Sequence, residues 1–231
     1  MTQHTYKQFN VELEEIRSGV LQMGGLVESQ VKNALEGLRT GDLALLDQII
    51  DEDQRVNLMQ KELDVECNHI IAKRQPAAVD LRLVMTVIKS VGDLERIGDE
   101  AKKIAKAAKR LHSSEVAFTP RVDLSHAAQL ALSMLHSSLD AFARADASVA
   151  PRIKRQDAEV DANFKATMRQ LITYMMEDPR TITNSLELLF AAKAIERVGD
   201  HAMNIAEYVV FLVEGEDVRY AKAEARLGDK S

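Results

Sequence analysis

The chain has 231 residues, with 30 basic against 36 acidic side chains and a net charge of −6. That balance gives no basic footprint for nucleic acid, and one cysteine rules out an internal disulfide framework or a four-cysteine metal site. A hydrophobic content of 46% supports a substantial core, while ten glycines, four prolines and no tryptophan favour long helices over many short strands. No apolar run reaches the roughly 18 residues of a membrane span, and the opening residues lack a signal-peptide pattern. The expected setting is cytoplasmic.

Prolines at 76, 120, 151 and 179 and the Thr40-Gly41-Asp42 break punctuate the chain. Proline cannot continue a helix, and Gly followed by Asp ends one helix and caps the next. The breaks predict six helices, near 7–40, 42–74, 78–112, 121–146, 149–177 and 180–214. The first carries the apolar stripe Phe9, Leu13, Ile16, Val20, Met23, Val27, Val31, Leu35, Leu38. Similar stripes run through the third helix from Val84 to Ala108 and the sixth from Leu188 to Val213. Steps of three and four residues are the seam of a helical bundle.

The chain also repeats itself. Glu95-Arg96-Ile97-Gly98-Asp99 returns as Glu196-Arg197-Val198-Gly199-Asp200, an offset of 101. Asp53-x-x-Val56-Asn57 returns as Asp157-x-x-Val160-Asp161, an offset of 104. Two copies of three helices predict an all-α protein of two tandem three-helix bundles. The first occupies residues 1–115, the second 116–215, and residues 216–231 form a polar tail.

Glu95 and Asp99 share a helix face, as do Glu196 and Asp200, because residues four apart lie one turn apart. Residues equidistant from a hairpin turn lie level, so Asp53 and Asn57 fall beside the first pair, and Asp157 and Asp161 beside the second. Oxygen ligands from two adjacent helices suit a hard cation; a solvated acidic flank suits the same spacing equally. Gly98 and Gly199 read as close-packing positions in the seam. His201 borders the second acidic pair and reads as a surface histidine, and Cys67 as a packed thiol. Glu66 and His69 have the Glu-x-x-His spacing of di-iron bundles, but the motif occurs once and a bundle needs it twice. No phosphate-cradling loop, nucleophile elbow or His-Glu-x-x-His is present.

The segments Gln75-Pro76-Ala77-Ala78-Val79-Asp80-Leu81-Arg82, Leu94 to Asp99 and Ile195 to Ala202 resemble the PhoU family of phosphate-signalling regulators. The similarity runs from about His4 to Glu214. It implies two three-helix bundles, a homodimer, and acidic motifs that hold metal ions, with iron, zinc, magnesium and manganese as the candidates. Glu95, Asp99, Glu196 and Asp200 carry over as metal residues, and Asp157 and Asp161 fit the acidic pattern. The resemblance further implies a non-enzymatic adaptor that represses phosphate uptake and starvation signalling. Its partners are then the ATPase subunit of the phosphate ABC transporter and the cytoplasmic region of a sensor histidine kinase, with the membrane met only through them. A metal-dependent carboxylate-bundle enzyme and a spectrin-like spacer are the alternatives. Where the second repeat has Asp161, Asn204 and Glu207, the first has Asn57, Lys103 and Lys106, which predicts weaker cation binding in the first bundle.

Overall fold

A computed structural model describes residues 2–113, 120–216 and 218. The expected residue 112–121 junction and 216–231 tail lie largely outside them. Six long helices run α1 (Thr2–Thr40), α2 (Leu43–Arg74), α3 (Ala78–His112), α4 (Ser125–Arg144), α5 (Ala150–Glu177) and α6 (Ile182–Glu214), and the described residues contain no strand. The punctuation acts as expected. Gly41 sits at φ +75° after α1, and the Asp42 carboxylate accepts the Leu45 amide at 3.1 Å. The matching turn of the second repeat uses Ala145 at φ 51°, followed by Asp146 accepting the Ser148 amide at 2.9 Å.

The fourth helix begins at Ser125, four residues later than Pro120 alone suggests. Asp123 accepts the Ser125 amide at 2.8 Å, which closes a turn in front of the helix. Short 3₁₀ turns at Ala147–Val149 and Pro179–Thr181 precede α5 and α6.

Helices α1, α2 and α3 pack together, as do α4, α5 and α6, giving the two three-helix bundles. Leu13, Ile16, Val20, Met23, Val27 and Val31 are buried as the first stripe requires, and so are Val84, Val87, Val91 and Leu94 of α3. Each such aliphatic side chain contributes about 1.5–3 kcal/mol relative to exposure. The largest interface joins the bundles: α3 lies against α6. Thr86 meets Tyr208, Asp93 meets His201 and Glu100 meets Arg197, so the two helices run antiparallel. One continuous core spans both halves. Each of α3 and α6 therefore buries two faces, not the single stripe read from sequence. The second face was disguised because it includes Ser90, Asp93, Glu100 and His201, all buried.

Candidate functional site

The repeated acids sit where α2 meets α3 and where α5 meets α6. Hairpin geometry brings each set together as expected. In the first bundle, burial raises the Glu95 carboxyl above its ordinary pKa, and the nearby charges of Asp99 and Asp53 push it further. In the second, the Asp157 carboxyl is pushed up to about 6. Burial is the main cause, followed by the crowding of Asp200, Asp161, Glu196 and Glu207. Asp200 is likewise raised by burial and by Glu196. Like charges this close favour protonation or a counter-cation.

The two sets differ in how that charge is met. In the first bundle Lys102 reaches across from α3 and places Nζ 2.7 Å from Asp53, which is only 4% exposed. The position repeating Lys102 is Met203, so Asp157 has no equivalent lysine. In the second bundle Lys193 instead pairs with Glu196. Sequence comparison had assigned the asymmetry to Lys103 and Lys106. For Lys103 that assignment is corrected, because it binds Glu100 at 2.8 Å and faces the α3–α6 seam; Glu207, the counterpart of Lys106, does add its charge to the crowding at Asp157. A step of one residue on a helix turns a side chain by 100°, enough to send Lys102 to the acids and Lys103 away from them.

The donors are all carboxylate oxygens, the chemistry of a hard cation. Lys193 meets Glu196 and Lys165 lies 3.8 Å from Asp161, yet the crowding that raises Asp157 and Asp200 persists, and such a set fits an ion better than one whose buried Asp53 holds Lys102. Among the described residues, no three His, Cys, Asp or Glu side chains converge closely enough to hold an ion in the conformation seen.

His201 is not a surface histidine. It is 7% exposed, and its Nδ1 lies 2.7 Å from Asp93 Oδ1 across the seam. Asn204 donates to Oδ1 at 3.1 Å and the Tyr208 hydroxyl donates to Oδ2 at 2.7 Å. Burial would raise the Asp93 carboxyl, but these three hydrogen bonds outweigh it and hold the group below its ordinary range. Sequence reasoning missed Asp93. Its one signal was an acid standing where the second repeat has Ala194.

The glycines between the acids are buried, yet a Cβ at Gly199 would lie 3.5 Å from Met134 and one at Gly98 would lie 3.4 Å from Val56, ordinary contacts. The closest approaches are on α1, where a Cβ at Gly24 would come within 2.5 Å of Leu139. Cys67 is buried and its thiol is pushed up to about 12, first by burial and then by Asp64 and Glu66, so it is inert as read.

This duplicated architecture has relatives. The family model described as the PhoU domain matches residues 20–108 and again 124–209. The chain belongs to the PhoU family. A phosphate-specific transport system accessory protein PhoU homolog of Pseudomonas putida is 48% identical over 222 residues, covering 95% of this chain and 86% of that protein. The PhoU accessory protein of Escherichia coli K12 is 45% identical over 221 residues, covering 95% and 91%. The crystal structure of Pseudomonas aeruginosa PhoU superposes with a TM-score of 0.86 at 48% identity, covering 90% of this chain and all of that one. The phosphate transport system regulatory protein PhoU of Streptococcus pneumoniae gives 0.84 at 33% identity, covering 91% and 99%. These PhoU relatives are named for accessory and regulatory roles, and none of these names denotes an enzyme.

Proposed function

We propose that the chain is an accessory protein of phosphate-specific transport, a cytoplasmic regulator that represses phosphate uptake and starvation signalling by contact. The observation that carries this is the match to named transport accessory proteins along almost the whole chain, with both repeats intact. Among the described residues no helix is long and apolar enough to cross a membrane. In this reading the protein reaches the transporter ATPase subunit and the sensor histidine kinase by docking on their cytoplasmic parts, as a homodimer. Long helical faces suit such recognition.

A divalent or ferric ion is the proposed cofactor, held by Asp157, Asp161, Glu196 and Asp200, with Glu95, Asp99 and Asp53 as the weaker set. When bound it would neutralise the crowded carboxylates and tie α5 to α6. All-oxygen donors favour magnesium, manganese or iron over zinc.

Deleting the gene should leave starvation genes expressed at high phosphate, and a tagged protein from phosphate-replete cells should capture the transporter ATPase subunit and the kinase. Normal repression in the deletion strain overturns the regulatory reading. Alanine at Glu95, Asp99, Glu196 and Asp200 together separates ion from contact: a folded quadruple variant that still represses makes the ion structural.

A further inference from the structure

The two halves of the α3–α6 seam are related by the sequence repeat, yet they differ in charge. Where the C-terminal half of α3 faces the N-terminal half of α6, a recess of about 320 Å³ opens, within the range of small-ligand sites. Its rim carries Lys103, Lys106 and Arg110 from α3 and Lys193 and Arg197 from α6, with Phe190 beside them. The repeat-related positions hold Asn204, Glu207, Phe211, Gly92 and Arg96, with Lys89 in place of Phe190. Five cations on one side answer to two on the other. In a chain of net charge −6, that concentration is local and one-sided.

The cations are held in place. Glu100, buried in the floor, accepts from Lys103 at 2.8 Å and pairs with Arg197 at 3.2 Å. Arg110 is oriented by Glu187 at 2.7 Å, and Lys193 lies 5.2 Å over the Phe164 ring as well as pairing with Glu196. Lys103 and Arg110 are seven residues apart, so the basic wall runs for about 10 Å along the helix. Opposed cations on two helices, with a floor between them, suit a compact anion with several charged groups better than a bulky helical partner. Guanidinium and ammonium groups together are the usual donors to phosphate oxygens. Phe190 is 55% exposed at the edge of this recess. It offers a face on which a planar base can stack.

We propose that this recess binds a nucleoside polyphosphate, the phosphates among the lysines and arginines and the base on Phe190. The site borders the second acidic set only through Lys193, which also pairs with Glu196, and it needs no metal. The test is calorimetric titration of the full-length protein with ATP, tripolyphosphate and adenosine, in chelator and at fixed ionic strength. ATP should bind at least tenfold more tightly than tripolyphosphate, and adenosine should not bind. Lys103→Asn with Lys106→Glu, the residues of the related half, should weaken ATP at least tenfold. Phe190→Ala should bring ATP down to the affinity of tripolyphosphate. Lys106→Ala alone, at an exposed position, keeps the test decisive if the double variant melts early, and should weaken ATP severalfold. Absent ATP binding, ATP no tighter than tripolyphosphate, or basic-rim variants that bind like the parent would overturn the assignment.

Discussion

Replacing Asp157 by Asn should stabilise the metal-free protein at neutral pH. The Asp157 carboxyl is pushed from 3.8 up to about 6 by burial and by four neighbouring acids. A folded pKa above the unfolded one means the folded chain holds this proton more tightly. Its contribution is therefore most favourable below the unfolded pKa, is lost as pH rises from about 4 through about 6, and stays a cost above that. A difference of about 2 units corresponds to a ceiling of about 3 kcal/mol, and partial solvent access and salt reduce this to about 1–2 kcal/mol. Urea unfolding of chelator-treated protein at about pH 7.5 should show that gain for Asp157→Asn with an unchanged m-value, and at about pH 5 roughly half of it. Saturating divalent cation should reverse the order, because the parent binds the ion through the carboxylate and the variant does not. A variant no more stable than the parent at the higher pH, or a gain independent of pH, would refute the reasoning.

Other substitutions probe the packing. Gln30 is 1% exposed and its amide has no hydrogen-bond partner among the described residues. Met134 occupies the repeat-related place on the second bundle, so Gln30→Met should raise stability by about 1–2 kcal/mol in urea titration. Gly199→Ala, where the new methyl meets only ordinary contacts, should gain up to about 1 kcal/mol from helix propensity, read as a higher thermal midpoint. Asp93→Ala strips the buried His201 and Tyr208 and the half-buried Asn204 of this acceptor and should cost about 3 kcal/mol or more in the same titration; a loss below about 1 kcal/mol would show that the cluster adds little to the seam.

The breaks, the six helices and the repeat were legible because they rest on local signals: proline, glycine with a capping acid, and spacing within one helix. Level-matching across the hairpins also worked, bringing Asp157 among Asp161, Glu196 and Asp200. What could not be read was contact between elements far apart in sequence. Lys102, Lys103 and Lys106 all look alike in a list of charges, and only the packed orientation of α3 tells which one reaches Asp53. The α3–α6 seam hid for the same reason. Its polar residues break the apolar pattern, and Asp93 becomes an acceptable core residue only once His201, Asn204 and Tyr208 arrive from 108 to 115 positions away.

That seam also discriminates between the halves it joins. A first repeat standing alone would leave the second face of α3 in need of a covering helix, and a second copy of the same repeat could offer one. The position related to His201 is Glu100. If the first half paired with its own copy in the same register, Asp93 would confront the buried Glu100 in place of His201, with Lys103 standing where Asn204 now donates. With a histidine at this position in one half only, the pairing of unlike halves sets a ring nitrogen, and not a second acid, against Asp93. The seam therefore favours a first half meeting a second half, whether of its own chain or of a neighbour's, over a first half meeting its like.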